Sequence, residues 1–469
     1  MPFRRPLYRV ALGLALAALS GCGVDQARES AVYRKVLDSA WPAPPPAPAP
    51  GEVLTLRQAL ALANAHNERL GLGGEDYLQA LIERDRAASA LLPSINLVPA
   101  YRRMEDFTAP GFAAAFVPNP ATDVPVAASL RINMSDFAGL EKADVLARYR
   151  LAVLLDLQAG ILVDTAETYY QVLRLERQAG VLGNSVAVQE ARVRDMRDRW
   201  KAGVARPLDV AQTEAEAAGA RASRVETRRL IAAARAALAF LVGVPAVENP
   251  LADGFDLPAV ADLEALQKQA AGRREDLRAA QALVAAAEKG LRAAFAQYYP
   301  SVAVDFDYFL SRQSFPADSR WLFGVSANLP VFAGGRIHAG VRTAYSLMRQ
   351  AHLYRSLTER RVTEEVKVAY ENLRASEERL RELQAQVSAA KDAFGLSEQA
   401  FDVGLATNLE RLITEDRLLQ AELQLAAETL NRKILYLKLS RAVGRLVDEA
   451  PHLPARTDNP PAPAAPPAS

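Results

Sequence analysis

The stretch "FDVGLATNLERL", from Phe401 to Leu412, has a counterpart 201 positions earlier in "WKAGVARPLDVA", from Trp200 to Ala211. Each stretch carries a glycine, Gly404 or Gly203, and an acidic residue six positions after it. Glycine at this place fits the left-handed cap that ends a helix, and proline or asparagine then suits the start of the next helix. Each stretch therefore predicts a tight turn between two helices.

These turns belong to a longer duplication. "LLPSINLVPAY" from Leu91 matches "YYPSVAVDFDY" from Tyr298 at an offset of 207, and "LVG" from Leu241 matches "AVG" from Ala442 at an offset of 201. Several markers in the same order at nearly constant offsets predict an internal repeat. The predicted copies are residues 52–250 and 251–447, with the insertions and deletions confined to residues 94–168.

Each copy contains a predicted strand hairpin, at about 94–134 in the first copy and about 301–331 in the second. Apolar and polar residues alternate there, as in "VAASLRINM" from Val126 to Met134. Such alternation indicates a sheet with one apolar and one polar face. Runs of about ten residues suit strands that span a membrane, but four strands cannot close a barrel, which needs about eight. Either the sheet is soluble, or several chains share one barrel.

Long helices follow the hairpins. No proline occurs from Gly334 to about Ala400, and apolar residues such as Val366 and Leu373 recur every seven positions. This repeat predicts a coiled coil, and about sixty-five helical residues would extend on the order of 100 Å. Each copy is therefore predicted to contain a helix, a strand hairpin, a long helix, a tight turn and a return helix.

The N-terminal residues predict export and a lipid anchor. Residues 1–21 contain a basic start and a short apolar run, which is typical of a signal peptide. "LSGC", ending at Cys22, resembles the bacterial lipobox, in which the cysteine is acylated, and Gly23 suits delivery to the outer membrane. Residues 22–51 are predicted to form a proline-rich spacer and residues 448–469 a disordered tail.

The whole pattern resembles the TolC family of outer membrane efflux proteins, in its lipoprotein branch. The motifs are "LTLRQALALANAHNERL", "LLPSINLVPAY", "YYPSVAVDFDY", "NLPVFAGGR" and "FDVGLATNLERL". The resemblance implies a mainly α fold with a β-barrel portion. Three chains would give four strands each to a 12-stranded barrel, and their helices would form a coiled-coil tunnel through the periplasm. It also implies a passive duct in the outer membrane of a Gram-negative bacterium, working with a periplasmic adaptor and an inner membrane transporter of the RND or ABC type.

The resemblance also implies a periplasmic gate of acidic residues near the predicted turns. Glu410 falls on the first acidic position of the family, and Asp209 is its equivalent in the first copy. Ile413 replaces the second acidic position, so Glu415 or Asp416 would have to substitute. Arg411 could neutralise Glu410, and either carboxylate could also be an ordinary solvated helix charge. The residues predicted to contact the adaptor, or simply to cap helices, are Ala202, Gly203, Val204, Val403, Gly404 and Leu405.

The alternation of the strands assigns residues to the two faces of the sheet. Arg131, Asp305 and Asp307 are predicted to face the barrel lumen, or the wet side if the sheet is soluble. Tyr101, Tyr308 and Trp321 are predicted to lie in the aromatic girdles that flank a membrane barrel.

Composition and motifs weaken several other functions. The net charge is +1, from 56 basic and 55 acidic residues, which gives no field suited to nucleic acid. The four histidines are scattered, so we predict no metal site, no catalytic residues and no cofactor apart from the covalent lipid on Cys22. The main alternative is a lipid-anchored periplasmic coiled-coil scaffold without a pore. An anchored enzyme would need a titratable cluster that the sequence does not present, and the exported substrate stays open.

Overall fold

The computed structural model describes residues 24–39, 49, 51–103 and 120–453. The predicted signal peptide, Cys22 and the proline- and alanine-rich end of the chain lie outside the described residues. So does most of the proline-rich stretch from Trp41.

The described part of the chain is mostly helical, as the sequence predicts. The helices are α1 (Gln26–Leu37), α2 (Leu56–His66), α3 (Glu68–Ser89), α4 (Met134–Lys201), α5 (Pro207–Val242), α6 (Leu263–Arg273), α7 (Glu275–Ala296), α8 (Arg336–Asp402), α9 (Asn408–Val443) and α10 (Leu446–Glu449). A short 3-10 turn, Ala450–His452, follows α10. At 1.5 Å per residue, the 68 residues of α4 and the 67 residues of α8 make helices of about 100 Å.

The duplication is visible in the lengths of the helices. Helices α2 and α6 both have 11 residues, α3 and α7 both have 22, and α5 and α9 both have 36. The offset is 207 positions for the helices before the strands and 201 for the return helices. The two copies therefore differ in length mainly in the strands and their connections.

One antiparallel sheet joins the two copies. Its strands are β1 (Ser94–Leu97), β2 (Ala100–Arg102), β3 (Ala121–Ile132), β4 (Ser301–Ser311) and β5 (Trp321–Asn328). The order is β1-β3-β4-β5, with β2 also paired to β3. Strands β1 and β2 occupy the same edge of β3, so they are two segments of one predicted strand, interrupted at Val98 and Pro99. The predicted four strands per chain are present in this sense, and the predicted fold class is confirmed.

The main core lies midway along the long helices and not at the sheet. It brings together the middle of α4, the ends of α5 and α9, and helices α2 and α6. Tyr169 is fully buried there, and its hydroxyl oxygen lies 2.7 and 2.8 Å from the backbone carbonyl oxygens of Leu54 and Ala252, which share its one proton. Asp253 forms part-buried ion pairs with Arg177 and Lys433, and the pair with Arg177 ties the first copy to the second. The sheet and the helical turns thus extend in opposite directions from one fixed body.

Helix α1 lies within the stretch for which the sequence predicts a proline-rich spacer. It packs antiparallel to α3, with Tyr33 over Gly74 and Leu37 near Asn64. A Cβ atom added to Gly74 would collide with the Tyr33 ring, so glycine is required at this contact. Gln158 of α4 donates to the carbonyl of Leu37 at 2.9 Å. The first described residues are therefore part of the packed body.

Candidate functional site

The strand register assigns the two faces of the sheet. In the β3–β4 pair, Arg131 lies opposite Ala303, Ser129 opposite Asp305, and Ala127 opposite Asp307. Residues directly opposite each other in an antiparallel pair share a face. Arg131, Asp305 and Asp307 therefore lie on the same polar face, as the alternation in the sequence requires. Whether this face lines a lumen depends on assembly and stays a prediction.

The opposite face is apolar and exposed to an unusual degree for a single chain. Its exposed large side chains include Ile95, Leu97, Phe306, Tyr308, Trp321, Phe323 and Val325. Contiguous exposed apolar surface of this kind marks contact with a membrane or with another chain. Tyr308 pairs with Trp321, and Tyr101 lies on the same face opposite Thr122. The three predicted girdle residues thus share one face, in the half of the sheet farthest from the helices.

Two matching turns form the other end of the molecule. Gly203 and Gly404 both have φ of +76°, a left-handed conformation that favours glycine. The amide of Val204 donates to the carbonyl of Arg199 at 2.9 Å, and the amide of Leu405 donates to that of Ala400 at 2.7 Å. These bonds satisfy carbonyls at the ends of α4 and α8, as in a Schellman cap.

The apolar residues of the two turns face solvent in the single chain. Val204, Val403 and Leu405 have exposed fractions of 75%, 71% and 85%. Helix capping needs the glycines but does not explain these exposed apolar neighbours. The predicted adaptor-contacting residues are therefore available to a partner, although no contact with one is present.

Glu410 lies in the first turn of α9 and is exposed. Its carboxylate accepts bonds from the amide and the hydroxyl of Thr407, at 2.7 and 3.0 Å. The hydroxyl of Thr407 accepts in return from the amide of Glu410, which completes a capping box. The bond from the Thr407 amide is the main cause that lowers the pKa of Glu410. Glu410 is therefore a fixed, ionised and solvent-facing carboxylate.

Asp209 holds the equivalent place in α5, but its surroundings differ. It is buried, and both of its carboxylate oxygens accept from the guanidinium of Arg206, at 2.9 and 3.0 Å. The side-chain bond from Arg206 is the main cause that lowers the pKa of Asp209. The two residues that sequence reasoning treats as equivalents are thus one free carboxylate and one neutralised pair.

Arg411 points away from Glu410. Its guanidinium is buried, donates to Asn408 Oδ1 at 2.9 Å, and lies 4.2 Å from the ring centroid of Phe401. Burial is the main cause that lowers its pKa. The structure shows no Arg411–Glu410 ion pair, so local neutralisation of Glu410 by Arg411 is not supported.

The residues that connect the two turns were not identified from the sequence. Asn408 donates to Thr213 Oγ1 of the first copy at 3.3 Å. Arg192 of α4 forms a nearly buried ion pair with Glu415 of α9 and donates to Glu398 of α8 at 3.3 Å. Burial is the main cause that lowers the pKa of Arg192 to about 10. Glu415 lies 223 positions after Arg192, and no local pattern marks such a pair.

Arg192 therefore already pairs with Glu415, one of the two residues predicted to substitute for the missing acidic position. Asp416 is exposed on the same turn of α9. Of the predicted gate carboxylates and their substitutes, Glu410 and Asp416 are exposed, whereas Asp209 and Glu415 are held by arginines.

The described residues were compared with the patterns of metal sites and membrane-spanning helices. Among residues 24–39, 49, 51–103 and 120–453, no three histidine, cysteine or acidic side chains form a group that could hold a metal ion. No described helix combines the length and the apolar character needed to cross a membrane.

An exposed apolar sheet face, helices of about 100 Å and a duplicated turn are the features in which this chain can be compared with known proteins. Residues 266–445 match the sequence model of the family described as "Outer membrane efflux protein". The resemblance to the TolC family is therefore confirmed. The family is one of efflux proteins and not of enzymes.

Relatives and solved structures agree with this assignment. The chain is 28% identical over 258 residues to the probable efflux pump outer membrane protein TtgC of Pseudomonas putida, a match that covers 52% of this chain and 51% of TtgC. It thus spans about half the length of that relative. It is 23% identical to the outer membrane protein TolC of Vibrio cholerae, covering 77% of this chain and 84% of TolC. The crystal structure of VceC from Vibrio cholerae superposes with a TM-score of 0.73 at 20% identity, covering 83% of this chain and 96% of VceC.

Proposed function

We propose that this protein is the outer membrane exit duct of a tripartite efflux or type I secretion system. Three copies would assemble, and each would contribute four strands to a 12-stranded barrel and its long helices to a periplasmic tunnel. The similarity to TtgC, a probable efflux pump outer membrane protein, and to the outer membrane protein TolC supports the class. The duct itself would be passive and would depend on a pump in the inner membrane.

The observation that carries the proposal is the unfinished sheet. In the part of the chain that the structure describes, the outer edges of β5 and of β1 with β2 have no strand partner. One face of this sheet is apolar and exposed, and hydrocarbon does not tolerate an open strand edge. Pairing the β5 edge of one copy with the β1–β2 edge of the next would close the sheet. It would also leave the apolar face outward and the face of Arg131, Asp305 and Asp307 inward.

The helical end supports a gate built mainly on Glu410. Threefold symmetry would bring three Glu410 carboxylates around the mouth, and such a ring attracts cations and repels anions. Asp209 is better suited to hold its turn, because Arg206 neutralises it. The exposed apolar residues of the turns, Val204, Val403 and Leu405, would be the contact surface for the periplasmic adaptor.

The anchor completes the proposal. Cleavage before Cys22 and acylation of its thiol would attach the chain to the inner leaflet of the outer membrane. Because α1 begins at Gln26 and runs antiparallel to α3, its start points toward the sheet end of the molecule. The proposed lipid would therefore enter the membrane on the same side as the strands. Mass spectrometry of the mature protein would show the acyl groups on Cys22, and an unmodified thiol would contradict this step.

The decisive experiment separates a duct from a scaffold without a pore. Protein extracted from outer membranes in detergent is expected to give a trimer, a β-sheet circular dichroism component and single-channel currents in planar bilayers. A lipid-anchored scaffold would give the helical signal without discrete currents. Absence of both trimer and conductance from folded protein would overturn the duct.

A further inference from the structure

We propose that the connection between β4 and β5, residues 312–320, is a fixed lid that narrows the distal mouth of the pore, and that Asp123 holds it there. The inference rests on the proposed function, because it needs the polar face of the sheet to line a pore. It concerns the end of the molecule opposite the Glu410 turn and does not depend on how that turn moves.

The strand register places Asp123 on the polar face. Val124 pairs with Ser311, whereas Pro125 pairs with Phe309, so Leu310 is an extra residue on β4. The bulge lies on β4 and leaves the alternation of β3 intact. Asp123 therefore lies on the same face as Ala127, Ser129 and Arg131, four residues nearer the distal end than Ala127.

The connection folds over this face and is bonded to it. The amides of Gln313 and Ser314 donate to Asp123 Oδ1 at 2.9 and 3.1 Å, and Arg102 Nη2 donates to Oδ2 at 3.1 Å. Asp123 is only 5% exposed, which is unusual for a carboxylate at the end of a strand. A buried carboxylate needs such charge-assisted bonds, so removal of its oxygens releases the connection.

Two further contacts give the connection a defined shape. The side chain of Arg312 lies 4.3 Å from the ring centroid of Phe309 and donates to the carbonyl of Ser319 at 3.3 Å. The amide of Thr122 donates to Gln313 Oε1 at 2.7 Å. The first residues after β4 are thus tied both to the polar face and to the end of their own connection. Three such connections around a threefold axis would restrict the mouth without any moving part.

The restriction can be measured from outside the cell with a thiol reporter. Asp307 lies opposite Ala127 on the polar face, about 14 Å deeper than Asp123 at 3.4 Å per residue. Cells that carry the Asp307→Cys protein would be treated with a small membrane-impermeant maleimide. A second sample would be treated with a maleimide coupled to polyethylene glycol, which is too bulky to pass the narrowed mouth. The labelling rate would be compared with and without Asp123→Ala, and the protein without the reporter gives the background.

We expect the small maleimide to label the reporter in both backgrounds and the large one to label it faster in Asp123→Ala. Asp123→Asn keeps one acceptor oxygen and Arg102→Ala keeps the carboxylate, so both should give smaller increases. Asp318→Asn changes an exposed carboxylate of the same connection and should leave the rates unchanged. The heat-modifiable migration of the assembled protein checks folding. If Asp123→Ala does not assemble, the labelling rates of Asp123→Asn and Arg102→Ala test the lid instead.

Equal labelling by the large maleimide with and without Asp123 in folded protein would overturn the lid while leaving the duct in place. Failure of the small maleimide to reach the reporter in any background would contradict the pore itself, and the lid with it.

Discussion

The turn between α4 and α5 and the turn between α8 and α9 have the same backbone but different chemistry. Both have a glycine at φ +76° and the same cap bonds, and in both the amide of the N-cap residue, Arg206 or Thr407, donates to the acidic side chain three positions later. In the first turn the carboxylate of Asp209 is buried against Arg206, whereas in the second turn Glu410 is bonded only to the neutral Thr407. The duplication has therefore preserved the bend and separated the charges, so that one turn is structural and the other presents a free carboxylate.

The helices behind the two turns differ in the same way. Glu214 of α5 pairs with Arg197 of its own copy on the exposed surface, at 2.6 Å. Its counterpart 201 positions later is Glu415, which pairs with Arg192 of the other copy in a nearly buried place. The two equivalent carboxylates thus have different contacts. Glu214 pairs at the surface within its own copy, whereas Glu415 connects the two copies.

The largest effect is expected from Arg192→Ala. Removing one partner of a buried ion pair costs about 3–5 kcal/mol, whereas breaking an exposed pair costs about 0.2–1 kcal/mol. Arg192→Ala should therefore lower the thermal stability and speed hydrogen exchange at the start of α9, and Arg197→Ala should do neither to a comparable degree. If both variants lose the same stability, the pair between copies is not what distinguishes the second turn.

An intermediate and equal effect is expected from Gly203→Ala and Gly404→Ala. Neither glycine has a neighbouring atom within 4 Å of an added Cβ, so the cost comes from the left-handed backbone alone. That cost is roughly 1–2 kcal/mol for a residue with a side chain. Equal losses of unfolding free energy in chemical denaturation would show that the two turns share the same backbone. A large difference would show that their backbones are not equivalent.

A smaller, pH-dependent effect is expected from the caps. The pKa values of Asp209 and Glu410 are both lowered, so each carboxylate stabilises the folded chain above its ordinary pKa near 4. This contribution is lost as the pH falls through the lowered value. Arg206→Met should raise the pKa of Asp209 alone. Thr407→Ala should raise the pKa of Glu410 alone and by less, because it removes the hydroxyl while the amide of residue 407 still donates to the carboxylate.

The stability of each cap variant would be followed from pH 5 downward, a range chosen around the ordinary carboxyl pKa of about 4. Each variant should reduce only the loss of stability on acidification that its own carboxylate causes. The loss caused by the other carboxylate should stay unchanged. A change in both parts from either substitution would mean that the two turns titrate as one unit.

The smallest structural effect, but a functional one, is expected from Glu410→Gln. Glutamine is accepted at this position of a capping box, so the helix start should survive while the charge is lost. In planar bilayers the variant should weaken the cation preference or raise the conductance, because the proposed acidic ring is removed. The matched control is the double variant Asp209→Asn with Arg206→Met, which removes a neutral ion pair without changing the net charge and should leave the current as it was. Unchanged current and selectivity in Glu410→Gln would remove Glu410 from the gate.

Much of the fold could be predicted because it is repeated or periodic. The heptad positions of α8, the alternation of β3 and β4 and the constant offsets are local patterns, and the structure has the helices and strands where these patterns place them. The sheet face of Arg131, Asp305 and Asp307 follows from alternation alone once the strands pair.

The contacts that distinguish the two turns, and those that hold the β4–β5 connection, could not be predicted. Burial of Asp209, the Arg192–Glu415 pair and the bonds of Asp123 depend on which helices and connections become neighbours in space, and one sequence carries no pattern for that. Helix α1 was missed because it stands beside a proline-rich stretch, and its buried residues, Tyr33 and Leu37, are too few to show a period.

The docking of α1 has a practical consequence for anyone who expresses this protein. A chain shortened to begin at Gly51 would lose the contacts of Tyr33 with Gly74 and of Leu37 with Asn64, and it would expose the apolar surface of Leu70 and Leu78. Such a shortened protein should aggregate more readily than the full chain, whatever happens to the lipid. Tags are better placed after residue 453, where the described body has ended.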